Sequence, residues 1–79
     1  MSAAVLDDVR QTVAEVFFVD AQQVSADSSP ESISAWDSMG HLNLVLAMEQ
    51  KFGMTFDPDQ IPQLTSVQAI AEAVAAKIE

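Results

Sequence analysis

Residues 36–42 read Trp-Asp-Ser-Met-Gly-His-Leu, and in this stretch a long polar loop gives way to an amphipathic helix. Asp37 is a favourable N-cap, because its carboxylate can accept hydrogen bonds from the first unpaired N–H groups of a helix. Ser38 then falls in the first turn, near the positive end of the helix dipole. A phosphate attached to the Ser38 hydroxyl would be stabilised by that dipole and by the unpaired N–H groups.

The residues after this start predict a helix over 38–52 with apolar residues on two faces. The first face consists of Leu44, Val45, Met48 and Phe52. The second, partly separate face consists of Met39, Leu42 and Leu46. A helix that is apolar over so much of its girth is either deeply buried or exposes a binding stripe. Gly53 predicts the end of this helix.

Upstream, residues 3–18 predict a first helix, because apolar residues recur there at a spacing of 3.6 residues. Residues 20–37 are rich in Asp, Gln, Ser, Pro and Glu and predict a loop. A connection of this length is unusual in a small domain and is often functional. Its expected anchors in the core are Val24, Ile33 and Trp36.

Downstream, Asp57-Pro58-Asp59-Gln60 carries the cap, first-turn proline and reciprocal glutamine of a helix start. Pro62 should limit this third helix to about one turn. Thr65-Ser66-Val67-Gln68 predicts the start of a final helix that runs to about Ile78. The expected fold class is all-α, a small four-helix bundle with three main helices and one short one, in a single domain over residues 1–79.

The net charge of −9 restricts the class of partner. It disfavours nucleic acid and anionic membranes, whose phosphates would repel the chain, and it favours proteins with basic patches. Acidity that only keeps a small protein soluble is an equal alternative. The sequence contains no cysteine, which excludes disulfides, thiolate metal sites and an intrinsic thiol nucleophile.

Other functional classes find little support. Residues 1–4 lack the regions of a signal peptide, and no apolar run reaches the roughly 18 residues of a membrane span, so we expect a cytoplasmic protein, taken to be a monomer. Asp57 and Asp59 lack the glycine and terminal glutamate of a calcium loop, and no metal site is expected. A Ser38–His41 nucleophile pair would need an orienting acid, an oxyanion hole and a pocket. The sequence supplies no such set, which disfavours a hydrolase.

The order of elements resembles the acyl carrier protein family, which includes the carrier domains of polyketide and nonribosomal peptide synthesis. In that family an Asp-Ser-Leu motif opens the second helix, and here the motif reads Asp37-Ser38-Met39. The continuation over 42–53 resembles the second helix of the family, and Thr65-Ser66-Val67 resembles the start of its last helix. The resemblance covers nearly the whole chain.

The resemblance implies that a separate phosphopantetheinyl transferase attaches 4′-phosphopantetheine from coenzyme A to Ser38. It implies that Asp37 both caps the helix and helps to position Ser38. With a Ser–His pair disfavoured, His41 would flank the attachment site or pack beside the arm. The thiol of the arm would carry an acyl group as a thioester, so the protein would be a carrier without catalytic activity of its own. Its partners would be acyl-loading and acyl-processing enzymes, such as ligases, synthases or transferases.

The resemblance also implies a docking surface around the serine. Its candidate residues are Met39, Leu42, Leu46 and Glu49, for which core packing or simple solvation is the plain alternative. The chain departs from the type of fatty acid synthesis at Trp36, Met39, Asn43 and Gln50. These departures favour a free-standing carrier of a specialised pathway. An aminoacyl or peptidyl carrier, and outside the family a small helical interaction module, remain open as alternatives.

Overall fold

Three α-helices form the frame of the computed structural model, which describes residues 3–79. They are α1 (Ala3–Phe17), α2 (Ser38–Phe52) and α3 (Val67–Ile78). Two single-turn 3-10 helices, Ala21–Gln23 and Ile61–Gln63, lie in the connections, and no strand forms within residues 3–79. The prediction of a small all-α bundle is confirmed. Residues 1 and 2, which belong to the predicted domain and to the N-terminal stretch considered for a signal peptide, lie outside the described residues.

α1 is the central helix, because it packs against both α2 and α3. Its buried apolar residues are Val5, Val9, Val13, Ala14 and Phe17. α2 contributes Leu44, Val45 and Met48 to the core. α3 contributes Val67, Ile70, Ala71, Val74 and Ala75. Each helix therefore buries one stripe at helical spacing, as the periodicity of the sequence predicts.

α1 ends one residue earlier than the sequence predicts. Phe18 has a left-handed backbone with φ of 56°, and the Val19 N–H donates to the Ala14 carbonyl oxygen at 3.1 Å. This 6→1 hydrogen bond is the mark of a Schellman motif, in which the left-handed residue stops the helix. The same motif ends α2, where Gly53 has φ of 63° and the Met54 N–H donates to the Glu49 carbonyl oxygen at 3.2 Å.

The α1–α2 loop is anchored in the core by its apolar residues, as predicted. Val24, Ile33 and Trp36 are all buried. Arg10 holds the first part of the loop from α1, because its guanidinium donates to the Val24 carbonyl at 2.7 Å and to the Ala21 carbonyl at 3.1 Å. The loop is thus a packed layer on the bundle.

The middle of the same loop is bonded to the start of α3. The Ser66 hydroxyl caps α3, and the next two N–H groups find partners across the chain. Val67 N–H donates to the Ser28 carbonyl and Gln68 N–H to the Ala26 carbonyl, both at 2.9 Å. These bonds satisfy N–H groups that a helix start otherwise leaves without a backbone partner.

The third helix lies further along the chain than predicted. It is a 3-10 turn over Ile61–Gln63, with Pro62 inside its first turn, so the proline begins this element and does not limit it. Half of the predicted capping box does form, since the Asp57 N–H donates to the Gln60 side chain at 3.0 Å. The Asp57 carboxylate instead lies 3.7 Å from Lys77 Nζ. Residues 57–60 close only a single turn, in which the Gln60 N–H donates to the Asp57 carbonyl oxygen at 2.9 Å, and the 3-10 helix begins after it.

Candidate functional site

α2 begins with a side-chain cap from Asp37. Its Oδ1 accepts a hydrogen bond from the Gly40 N–H at 2.8 Å, and its carbonyl accepts from the His41 N–H at 2.8 Å. The backbone of Asp37 is extended, as an N-cap requires. The cap fixes the direction in which the first turn of α2 leaves the loop.

Ser38 is the first residue of α2, and its side chain is exposed. Within residues 3–79 its hydroxyl makes no hydrogen bond. The hydroxyl therefore stands at the positive end of the helix without a competing partner. These properties suit a serine that receives a phosphodiester-linked group, since both the oxygen and the space around it are accessible.

Gly40 is a requirement that the sequence reasoning missed. A Cβ built on Gly40 would collide with the Ala35 carbonyl oxygen and lie 3.0 Å from a ring carbon of Phe17 and 3.2 Å from Asp37 Oδ1. The chain that enters α2 thus passes close against its first turn. A glycine inside an otherwise strong helix was the available signal, because glycine costs stability there unless space demands it.

Trp36 and His41, close to Ser38, are joined by a hydrogen bond. Trp36 Nε1–H donates to His41 Nδ1 at 2.9 Å, and the two ring planes are nearly parallel, with 14° between them and 6.2 Å between centroids. His41 Nε2 lies 2.8 Å from the Ile61 carbonyl oxygen. Because the indole nitrogen can only donate, Nδ1 must accept, and the histidine proton sits on Nε2 and donates to Ile61. Both ring nitrogens are engaged, so His41 has no free nitrogen to activate Ser38.

A groove of about 560 Å³ opens directly beside Ser38. Its apolar walls come from Pro30, Leu42, Pro62 and Leu64, while Trp36 and His41 lie along one side. Ser38 and Thr65 stand among its polar lining residues. The volume falls within the range of about 300–1,000 Å³ that small-molecule sites usually have. Ser38 therefore lies next to a groove that is large enough to bind a small organic group.

The candidate docking residues differ in their surroundings. Met39, Leu42 and Leu46 are large apolar side chains that α2 leaves 75%, 57% and 57% exposed. Glu49 is half-buried, and its Oε2 accepts a hydrogen bond from the Phe56 N–H at 2.9 Å. Glu49 thus has a structural contact in the chain, and its role in docking stays a prediction.

Metal-ligating side chains do not gather in the described part of the chain. Within residues 3–79 no group of three or more His, Cys, Asp or Glu residues could hold a metal ion. None of the helices in this range is long and apolar enough to cross a membrane.

A sequence model of the family described as "Phosphopantetheine attachment site" matches residues 7–74. The match spans α1 from its second turn, the anchored loop, the start of α2 with Ser38, and most of α3.

Several curated proteins are similar over nearly the whole chain. The acyl carrier protein of Campylobacter concisus is 32% identical over 71 residues, which is 90% of this chain and 92% of that protein. The acyl carrier protein of Thermosynechococcus vestitus is 28% identical over 75 residues, covering 94% and 91%. Among solved structures, holo acyl carrier protein from Geobacter metallireducens aligns with a TM-score of 0.82 at 29% identity, covering 92% of this chain and 84% of that one.

Proposed function

The chain belongs to the acyl carrier protein family and contains its phosphopantetheine attachment domain, and from this premise we propose that Ser38 is the residue that bears the 4′-phosphopantetheine arm. The single observation that carries the proposal is the state of Ser38. Its exposed hydroxyl is unpartnered within residues 3–79, it opens α2 behind the Asp37 cap, and it borders a groove. Phosphopantetheine, as the prosthetic group of the family, supplies a thiol that the sequence itself lacks.

An acyl group is the cargo that we propose, bound to the arm as a thioester. The curated relatives named above are acyl carrier proteins, which supports acyl over aminoacyl or peptidyl cargo. The chain's own residues would do no chemistry on this cargo. A carrier role agrees with the engagement of His41, whose two nitrogens are bonded to Trp36 and Ile61.

We further propose a specialised pathway over general fatty acid synthesis. The exposed part of α2 carries Asn43 and Gln50 where the family frequently has glutamates, and Lys51 adds a positive charge. Enzymes that recognise an acidic second helix would bind this surface less well. Efficient competition with a main fatty acid carrier in a reconstituted synthase would contradict the proposal. The cytoplasmic location and the monomeric state stay predictions.

The proposed partners are a phosphopantetheinyl transferase and enzymes that load and process acyl groups. Met39, Leu42 and Leu46 would form their docking surface next to Ser38, because exposed apolar side chains grouped on one helix are typical of binding sites. Glu49 and acidic loop residues would meet basic patches on these partners.

The attachment is tested by intact mass after incubation with coenzyme A and a broad-specificity phosphopantetheinyl transferase. The wild-type chain should gain one phosphopantetheine, and Ser38→Ala should gain none. Ser34→Ala is the matched control, since Ser34 is also exposed and lies four residues upstream. It should load like the wild type. No gain in a folded wild-type chain, with a transferase that is active on a control carrier, would overturn the proposal and favour a helical binding module.

A further inference from the structure

We propose that the hydrogen-bonded chain Trp36–His41–Ile61 closes the inner side of the groove beside Ser38, so that the arm rests in the groove and its cargo stays outside the helix bundle. This inference rests on the proposed function. Beyond that function, the inference concerns the position of the arm on the protein and the surface that contacts the cargo. The occupant is a covalent extension of Ser38, and Ser38 itself lines the groove.

The lining of the groove suits the chemistry of pantetheine. That group alternates a branched apolar part with amide groups. The groove offers apolar walls from Pro30, Leu42, Pro62 and Leu64, with the exposed Thr65 at its edge. Sites for small organic groups are mostly apolar with a few placed polar groups. Because the arm starts at Ser38, binding in the groove is intramolecular and requires little affinity.

The side of the groove toward the core is closed by two rings. Trp36 is 2% exposed, and its ring centroid lies 5.7 Å from that of Phe17 and 6.2 Å from that of His41. Leu44 and Met48, which belong to the same core cluster as Trp36, have no exposed surface. A chain of cargo that passed inward from Ser38 would have to displace Trp36 or His41.

Displacement of these rings would be unfavourable for a specific reason. Trp36 Nε1–H and His41 Nε2–H each donate a hydrogen bond in a partly buried setting, at 2.9 and 2.8 Å. Moving either ring breaks at least one bond and leaves a polar group without a partner, which costs more than the bond itself contributes. The bonds thus favour a cargo that stays in the groove or in solvent.

The test uses the loaded chain and a cargo that cannot hydrolyse. Since the chain has no cysteine, the arm carries the only thiol, and alkylation with iodoacetamide or N-octyl iodoacetamide gives a short and a long thioether cargo. Two-dimensional NMR then reports amide and methyl shifts. The fluorescence of Trp36, the single tryptophan, reports the groove independently.

Attachment of the arm should shift the amides of Leu42, Leu64 and Thr65. Lengthening the cargo from the short to the octyl form should leave the methyl signals of Leu44 and Met48 unchanged. Shifts of these methyls that grow with cargo length would overturn the closed core. If intact mass shows a loaded chain but the amide signals of the groove residues do not shift, the proposed binding of the arm in the groove is wrong.

A pair of matched variants separates binding in the groove from a general effect of loading. Thr65→Phe fills the groove, whereas Thr55→Phe makes the same change at an exposed threonine that does not line it. Intact mass identifies the loaded fraction of each variant, and only that fraction is compared. Thr65→Phe should lose the arm-dependent shifts and the change in Trp36 fluorescence, and Thr55→Phe should keep both. If both variants show the same arm-dependent shifts and the same change in Trp36 fluorescence, the arm does not bind in the groove. A chain that does not load at all would instead defeat the proposed function.

Discussion

At the scale of single residues, the two glycines of the chain are needed for different physical reasons. Gly40 is needed for space, because a Cβ would collide with the Ala35 carbonyl oxygen. Gly53 is needed for its backbone, because its φ is 63° while nothing lies within 4 Å of an added Cβ. The first restriction depends on side-chain size and the second on conformation.

This difference predicts that alanine is the less damaging substitution at Gly40, whereas asparagine is the less damaging one at Gly53. Gly40→Ala should lower the free energy of unfolding by about 1–3 kcal/mol through overpacking, and Gly40→Asn should lower it further. Gly53→Ala should cost about 1–2 kcal/mol, and Gly53→Asn less, because asparagine tolerates the left-handed region. Urea unfolding followed by circular dichroism measures all four. If the alanine and asparagine variants had the same order of stability at both sites, the distinction between a restriction of space and one of backbone conformation would be wrong.

Phe18 gives a second residue-scale prediction, because it occupies the position that Gly53 occupies in α2. Its φ is 56° and its side chain is 94% exposed, so the ring contributes little packing to offset the backbone strain. Phe18→Gly should raise the free energy of unfolding by up to about 1 kcal/mol. Thermal unfolding provides the measurement. A fall in stability would mean that the phenyl ring makes a stabilising contact.

At the scale of elements, Arg10 determines whether the start of the loop stays on α1. Its guanidinium bonds two loop carbonyls, so Arg10→Gln should lower the free energy of unfolding by about 1–2 kcal/mol and increase hydrogen exchange over residues 21–24. Lys51→Gln removes the same charge from an exposed position and is the matched control. Equal effects of the two variants would attribute the loss to net charge.

The sequence predicts elements well where both ends carry local signals. The bounds of α2 agree with the prediction at Ser38 and Phe52, because Asp37 and Gly53 each act within one turn. The early end of α1 was missed, since nothing in the sequence marks Phe18 as left-handed. The third helix was misplaced because the cap signals at Asp57 and Gln60 close a single turn, and the 3-10 helix follows only at Ile61–Gln63.

The candidate site divides in the same way. Ser38 and its Asp37 cap follow from neighbouring residues and from the resemblance to a family. The bonds of His41 do not, because Ile61 reaches it only after the chain has crossed the bundle. The space restriction at Gly40 arises from the Ala35 carbonyl of the incoming loop, whose path no periodicity predicts.

At the scale of the whole molecule, the net charge of −9 is not concentrated on α2. That helix has one acidic residue, Glu49, and one basic residue, Lys51, while its exposed surface near Ser38 is apolar. Apolar contact should therefore contribute more than charge to docking on α2.

Leu46→Ala tests this docking surface with the transferase as the partner. We expect Leu46, as an exposed apolar residue of the proposed surface, to belong to the minority of interface residues whose truncation costs more than about 1 kcal/mol, so KM for loading should rise roughly fivefold or more. Ile78→Ala is the control, since Ile78 is also an exposed aliphatic residue but lies at the end of α3. Steady-state kinetics of loading measures both. An unchanged KM for Leu46→Ala would place transferase docking elsewhere.

The anchoring of the α1–α2 loop has a consequence for delivery. Arg10 holds the loop to α1, and the N–H groups of Val67 and Gln68 hold it to α3, so Ser38, where we propose that the arm attaches, is fixed relative to the bundle. A group carried on such an arm would explore a small volume centred on Ser38. Any docked enzyme meets it at an effective concentration on the order of millimolar, whatever the concentration of carrier in bulk. The effective concentration falls in proportion to the fraction of time that the arm is bound in the groove. The affinity of the groove for the arm would therefore set how readily the cargo reaches a docked enzyme.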